Sequence, residues 1–361
     1  MVINIVSPHA SHYLGGMEVV TLQMARHLAA DGTTVRFFTR QTAARSDIYE
    51  QLLSEVSDRL QVIEIPLPSD TPLPDGTWPT FYRIACDFGV AAQPYYRQFV
   101  DADLFITHLS ADSLFLPPGV RNILHLHGSP HVADDLMGAA VNIPKTTIAH
   151  SQSIKNWWVT HYPMLTPRVF TNGIDTTYFS GDPQEDRPID ILYVGRFMEH
   201  KGVDDVLKAV HAGYTVAVAG NGLYLPELKD IARERGLLDS VTFYDTPSTE
   251  TIKRLYRRAK IFACPSKGRE GVLTTLLEAG ASGCAVVTTS GSGMTDIIRD
   301  GINGVVITPS DVKALERAFD ILLRDNDKRL ELATNLQSEI RTHWSWKSKA
   351  DELKVIYHEA L

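Results

Sequence analysis

Cysteine is scarce in this chain. Cys86, Cys264 and Cys284 are the three among 361 residues, and they are scattered without paired spacing. That pattern excludes a disulfide framework or a zinc-binding cysteine set and fits a reducing compartment. Each reads as a small buried hydrophobe. An excess of positive charge is also missing. Lys and Arg number 35 against 43 Asp and Glu, for a net charge of −8, and a duplex-binding protein would show a basic face instead. No apolar run approaches the ~20 residues needed to span a bilayer. The opening "MVINIVSPH" has neither a charged leader region nor a cleavage pattern, so it reads as a first β-strand and not a signal peptide. Internal repeats and low-complexity tracts are lacking too. These absences predict a cytoplasmic protein that does not bind nucleic acid. Peripheral contact with the inner face of a membrane is left open, as is the oligomeric state.

What is present is ordinary for a soluble domain: 44% hydrophobic and 22% charged residues. At about 150 residues per domain the length predicts two domains. Short apolar runs alternate with helical patterns from end to end. "INIVSP" precedes the amphipathic "MEVVTLQMARHLAADG"; then come "TVRFFTR", "LQVIEIP", "DLFITH", "NILHLHG" and "TTIAHS". Parallel strands need such crossovers, so the fold class is α/β. The polar, Pro-bearing stretch Tyr178–Pro188 reads as part of an interdomain connection. A second series follows: "IDILYVG", "YTVAVAG", "VTFYD", "KIFACPS", "CAVVTTS" and "GVVIT". Two Rossmann-like domains in tandem imply a cleft between them, with ligands off the carboxyl ends of the strands. The tail "SWKSKADELKVIYHEAL" reads as a final amphipathic helix.

The unusual residues fall at those strand ends. In "YVGRFMEHKG", Arg196 and Lys201 follow a strand and lie beside a helix start. Arg can hold a diphosphate bidentately, Lys adds a point charge and the helix its dipole. A solvated loop with two surface cations is the plain alternative. In "CPSKGREGVLTTLLE", Pro265, Gly268 and Gly271 mark a turn into a helix. Gly271, Val272 and Leu273 are expected to present bare N–H groups to phosphate oxygens at that helix's N-terminus. Glu278, about two turns in, can accept from paired hydroxyls such as those of a ribose. Glu270, in the loop, faces another part of the same ligand. A helix-end charge plus an amphipathic-face glutamate explains each carboxylate singly, but not the pair with its glycine turn.

The amino-terminal half offers Gly15 and Gly16 in "SHYLGGMEVV", which permit close backbone approach to a phosphate or sugar. "AGNGLYLPEL" falls short of the G-x-G-x-x-G fingerprint, with Leu225 in the last glycine position, and reads as a strand-to-helix turn. Histidines gather at His108, His125, His127 and His131. The H-x-H spacing points His125 and His127 to one face, yet no carboxylate or cysteine completes a zinc set. His127, at a strand's end, reads as a sugar contact or a satisfied structural histidine; the structural reading suits His125 better. The "DAD" at Asp101–Asp103 imitates a metal-binding pair but precedes its strand, away from the rim. The basic run "TIKRLYRRAKIFACPSKGR" is a solvated helix face or, less simply, a surface for anionic lipid. The aromatic-rich "GTWPTFYRIACDFGVAAQPYYRQF" either lines an acceptor site or is core.

Taken in this order, the pieces resemble the retaining glycosyltransferases of the GT-B fold, family 4. The resemblance runs over nearly the whole chain and is strongest from Ile189 to Ile307, through "LYVGRFMEHKG", "VAGNG", "EGVLTTLLEAGASGCAVVTTSGSG" and "DIIRDGINGVVI". Its most specific mark is the pair Glu270 and Glu278 bracketing seven residues. Two departures are Leu273, where the family often has glycine, and Asp296, where glutamate is common. The resemblance implies an acceptor-binding domain over residues 1–170, with a C-terminal helix, 346–361, packing back on it, and a nucleotide-sugar-binding domain over 171–345. "TNGID", Thr171–Asp175, resembles the family's passage between the two.

By resemblance, too, Gly15 and Gly16 lie against the donor phosphate or sugar, and His127 hydrogen-bonds the transferred sugar. Arg196 and Lys201 neutralise the departing diphosphate, Glu270 holds sugar hydroxyls and Glu278 the ribose. Tyr244, Asp245 and Thr246 frame the base, and Tyr13 and His108 lie on the acceptor side. The implied activity is transfer of a hexose from a nucleoside diphosphate sugar to a hydroxyl on a glycan, lipid-linked glycan or small molecule, with retained configuration. It needs no cofactor and no metal. A covalent route through Glu270 is the mechanistic rival. A sugar-nucleotide epimerase on the same frame and a non-catalytic sugar-nucleotide binder are the functional ones.

Overall fold

The computed structural model describes residues 1–12, 15–73, 78–128, 146–268 and 270–361. The chain divides into two compact units, Met1–Asn172 with Trp346–Leu361, and Gly173–Ser345. The division falls inside "TNGID". Tyr178–Pro188, expected to belong to the connection, instead packs on the second unit, with Phe179 in its core and Arg187 buried.

In the first unit the strands are β1 (Val2–Val6), β2 (Thr34–Arg40), β3 (Leu60–Ile65), β4 (Leu104–Thr107), β5 (Asn122–Leu126), β6 (Thr146–Ala149) and β7 (Arg168–Val169). They pair in the order β3-β2-β1-β4-β5-β6-β7, all parallel. Both faces are covered, so the strands read as nearly unbroken apolar runs. Ile3, Ile5, Phe37, Leu104 and Ile106 pack on one face with Leu22, Met24 and Leu28 of helix α1 (Gly16–Ala30). Val6, Phe38 and Phe105 occupy the other face. Helix α2 (Asp47–Ser54) adds Tyr49 and Leu52 to the first layer. The aromatic-rich segment forms α3 (Trp78–Gln98), whose Phe88, Ala92 and Tyr96 fill the second layer, so this part of it is core. Helix α4 (Gln152–His161) starts at Ser151, whose hydroxyl accepts from the Ile154 N–H.

The second unit repeats the plan. Its strands are β8 (Ile189–Val194), β9 (Val216–Gly220), β10 (Val241–Asp245), β11 (Ala259–Cys264), β12 (Ala285–Thr289) and β13 (Val305–Ile307), in the parallel order β10-β9-β8-β11-β12-β13. Helices α5 (Val203–Ala209), α6 (Leu225–Glu234), α7 (Thr249–Arg258), α8 (Thr274–Ala281), α9 (Val312–Arg324) and α10 (Asn326–His343) cover it. Ile191, Val218 and Ile261 meet Val206, Leu207 and Phe319 on one face. Leu192, Ala219 and Phe262 meet Leu276, Leu277, Leu336 and Ile340 on the other. The last helix, α11 (Trp346–Glu359), belongs to the first unit and buries Trp346, Leu353, Ile356 and Tyr357 in the α1 layer. Cys264 and Cys284 are buried free thiols and Cys86 is a half-buried one.

In both sheets the strand order reverses beside a central strand: between β1 and β4, and between β8 and β11. A crevice opens at such points outside the carboxyl ends of open parallel sheets. Gly15, Gly16 and His108 follow β1 and β4; Arg196, Lys201 and Glu270 follow β8 and β11.

Candidate functional site

The two loops flanking the β8/β11 reversal are tied together. The His200 carbonyl accepts the Lys267 N–H at 2.7 Å and the Ser266 hydroxyl at 3.0 Å. Gly202 makes the approach possible. Its φ is +73°, and a Cβ there would lie 2.0 Å from the Pro265 carbonyl oxygen. Lys267 Nζ sits 2.7 Å from Asp204 and 3.1 Å from Asp205 on α5, fastening the same junction with charge. Burial works against the charge of Asp204, but the bonds to Lys208 and Lys267 hold its carboxyl below the ordinary range. Sequence reading missed Asp204, Asp205 and Lys267 as a group because the two loops are distant in the chain.

Lys201 and Glu270 meet across this junction. Lys201 Nζ is 2.7 Å from Glu270 Oε1, with side-chain exposures of 11% and 14%. The Ser266 hydroxyl lies 3.3 Å from the same oxygen and His200 Nε2 3.7 Å. Burial, followed by the charge of Lys201, lowers the pKa of His200. Arg196 is exposed, and among the described residues its guanidinium makes no ion pair. Its backbone is fixed: the Tyr193 hydroxyl donates to the Arg196 carbonyl at 3.0 Å, and the Phe197 N–H to the Asn221 carbonyl at 2.6 Å. Gly220 ends β9 in the stretch read as a strand-to-helix turn, and its place there is steric. A Cβ there would stand 1.8 Å from the Gly195 carbonyl oxygen, so it lets the β9 turn pack on the Arg196 loop.

Helix α8 begins at Thr274, later than expected, with Leu273 as its N-cap. Gly271 and Val272 therefore precede the helix, and Leu273 takes the β conformation at φ −73° and ψ 129°. The N–H groups of Val272, Leu273, Thr274 and Thr275 have no acceptor among the described residues. Helix starts with bare N–H groups attract anions. Glu278 is the fifth helical residue and accepts from the Tyr256 hydroxyl at 2.9 Å. Burial pushes its carboxyl up to about 7, with Tyr256 pulling the other way. At the end of β10, Tyr244 is half-buried and Asp245 exposed. Thr246 has φ +48° and donates its N–H to the Gly220 carbonyl at 2.7 Å.

In the first unit Gly15 is the N-cap of α1 and Gly16 its exposed first residue. Tyr13 and His131 lie outside the described residues. Four histidines, three buried and His127 half-buried, cluster at the ends of β4, β5 and β6. His108 Nδ1 is 2.7 Å from His127 Nε2, and His125 Nδ1 is 3.0 Å from His150 Nε2. His127 stacks on His150 at 4.0 Å, and the Tyr357 oxygen lies 3.0 Å from His125 Nε2. Burial and the neighbouring rings hold His108, His125 and His127 well below the usual pKa; His150 falls to about 3 through burial. The structure places His108 inside this cluster, 3% exposed. His150 and Tyr357 were not found from sequence; "AHS" after a short apolar strand was the available signal.

The remaining motifs have structural partners. Asp101 pairs with Arg36 at 2.7 Å, and Asp103 accepts the Val2 N–H at 2.7 Å, both at the amino edge of the sheet. On α7, Lys253 lies over the Tyr178 ring and Arg257 pairs with Glu185 at 3.6 Å. No helix among the described residues is long and apolar enough to cross a membrane.

Residues 176–339 match the family described as Glycosyl transferases group 1, and residues 14–178 match Glycosyltransferase Family 4. The D-inositol 3-phosphate glycosyltransferase of Mycobacterium ulcerans is 27% identical over 96% of this chain and 82% of its own. The chain spans about half the length of other curated relatives, 45% and 47% for two of them. Among solved structures, the sucrose-phosphate synthase of Thermosynechococcus elongatus superposes with a TM-score of 0.83 at 20% identity, over 99% of this chain and 98% of that one. Anabaena HepE, in complex with UDP-glucose, gives 0.78 at 18% identity, over 99% and 100%.

Proposed function

The chain belongs to the group 1 glycosyltransferases of family 4, and on that premise we propose that it moves a hexose from a nucleoside diphosphate sugar to a hydroxyl acceptor, with retained anomeric configuration and without a metal. One observation carries the reading. Lys201, Glu270 and the bare N–H groups of Val272 to Thr275 come together at one strand-order reversal, with Arg196 on the adjoining loop. Each has a use on such a donor. The binding of UDP-glucose by Anabaena HepE, a protein of the same fold, supports a nucleotide-activated sugar as the donor.

The difficulty in the reaction is the charge that grows on the leaving diphosphate. Arg196 and Lys201 stabilise it by electrostatics already in place, and the N–H groups before and within α8 add donors that need no reorganisation. Without ligand, Lys201 and Glu270 neutralise each other at 2.7 Å. The donor exchanges these partners: Lys201 takes the diphosphate and Glu270 the sugar hydroxyls. Glu278 accepts from the ribose hydroxyls as a carboxylate. His127 donates a hydrogen bond to the transferred sugar. The bond from the anomeric carbon to the diphosphate breaks, the acceptor oxygen bonds to that carbon on the same face, and the leaving phosphate oxygen takes the acceptor's proton; same-face attack preserves configuration. With Glu270 engaged by the sugar hydroxyls, this route needs no carboxylate nucleophile.

The test is release of nucleoside diphosphate from a panel of UDP-, GDP- and ADP-sugars, with the product's anomeric configuration read by NMR. The reading expects acceptor-dependent release and retention. Clean epimerisation of a donor without acceptor, or tight donor binding with neither transfer nor hydrolysis, would overturn it.

A further inference from the structure

We infer that His108 is a positioning residue that fixes the tautomer of His127, donating from its Nδ1 to His127 Nε2 so that the one proton of His127 stands on Nδ1 as the donor to the sugar. The inference rests on the sugar-contacting role proposed for His127. It begins with the 2.7 Å contact between His108 Nδ1 and His127 Nε2. Two neutral imidazoles at that distance share one proton, so one ring donates and the other accepts. Burial keeps both rings neutral.

The far side of His108 decides which ring donates. His108 Nε2 is buried and has no hydrogen-bond partner among the described residues. A proton there would be a buried N–H without an acceptor, whereas a bare lone pair is the milder deficiency. The proton therefore sits on His108 Nδ1, and His127 Nε2 accepts it. A neutral imidazole has one N–H, so that of His127 is on Nδ1, which has no partner among the described residues. His127 is half-buried and directly follows β5, at the carboxyl end of the sheet.

The ring cannot turn over without loss. Rotation by half a turn would set a ring carbon against His108 Nδ1 and break the 2.7 Å bond. The other face is held by the His150 ring, at 4.0 Å and 18°. His150 is braced by His125 at 3.0 Å, and His125 by the Tyr357 hydroxyl of α11 at 3.0 Å.

A metal reading of His108, His125 and His127 fits less well, although one nitrogen from each lies within 4.8 Å of the others. Zinc–nitrogen bonds of about 2.0 Å in a tetrahedron put ligand nitrogens roughly 3.3 Å apart. The His108–His127 pair is closer than that, at a distance suited to sharing a proton.

The experiment uses the full-length protein labelled with ¹⁵N-histidine. Long-range proton–nitrogen correlation spectra separate Nδ1–H from Nε2–H rings, and the His127→Gln spectrum assigns the signal. His127 is expected as the Nδ1–H tautomer in the wild type; finding it as Nε2–H, or as imidazolium at pH 7, overturns the inference. In kinetics, His108→Phe should lower kcat about tenfold with donor KM little changed. His108→Asn, whose amide N–H replaces Nδ1–H, should restore most of it. Equal losses in the two variants would contradict the assignment. If His127→Gln leaves turnover unchanged, the sugar-contacting role fails instead, whatever tautomer the spectra report.

Discussion

In the second unit, lysines and carboxylates stand in direct contact, Lys201 with Glu270 and Lys267 with Asp204, both at 2.7 Å. In the first unit, four histidines share protons or stack with no charge among them. The two places are topologically alike, since both lie at the carboxyl ends of parallel sheets beside a strand-order reversal. On the proposed function, their chemistry differs because their tasks differ. A diphosphate needs a cation held in place, and the ion pair with Glu270 holds Lys201 until a better anion arrives. A sugar hydroxyl needs a neutral donor with one orientation, and burial among other imidazoles supplies that without the cost of a buried charge.

The contrast can be broken first at Lys201. Lys201→Ala removes the cation and leaves Glu270 without its ammonium; turnover should fall by about 10² to 10³, as when one preorganised donor is lost. Donor-consumption kinetics measure it, and a fall below tenfold would move the electrostatic task elsewhere. Arg187 extends the comparison to a cation that does no chemistry. It is 3% exposed and donates to the carbonyls of Tyr256, Ala259, Asp182 and Ser282. Arg187→Met strands those carbonyls and should cost about 3 kcal/mol in denaturant unfolding, with turnover per folded molecule kept.

Glu278 sharpens the comparison through pH. Its carboxyl, at about 7 when folded and near 4.5 otherwise, makes the folded state hold more protons between those values. Its contribution is thus fully present below about 4.5 and is lost as pH rises through 7. Glu278→Gln should melt above wild type at pH 8 and close to it at pH 5, while donor affinity at pH 8 falls about tenfold. Differential scanning and donor titration at the two pH values read both. The smallest effect belongs to Asp101, whose partner Arg36 lies at the amino edge of the first sheet. Asp101→Ala should cost under about 1 kcal/mol, as for other exposed pairs, and leave turnover unchanged. A large loss of activity would reopen the metal-binding reading of "DAD".

Much of this was legible in the sequence for a physical reason. Strands buried on both faces read as apolar runs, so "ILYVG", "VAVAG" and "IFACPS" announced parallel β8, β9 and β11 and put Arg196, Lys201 and Glu270 at their ends. What stayed hidden depends on contacts between distant segments. Gly202 and Gly220 look like loop glycines until Pro265 and Gly195 are seen to approach them. The start of α8 was read early, because nothing local shows that Leu273 turns extended before Thr274. His108 looked free for an acceptor, since its pairing with His127 needs β4 and β5 to lie side by side. Arg187 sat in a polar stretch that read as linker, and the four carbonyls it serves come from three separate segments.

The central claim is that a diphosphate lodges on Lys201, Arg196 and the N–H groups at the start of α8. Calorimetric titration of wild type and Lys201→Ala with UDP, GDP and ADP tests it most directly. The account predicts that at least one nucleotide binds the wild type at least about tenfold more tightly than the variant. Equal affinity for both proteins, or no binding to either, would contradict it.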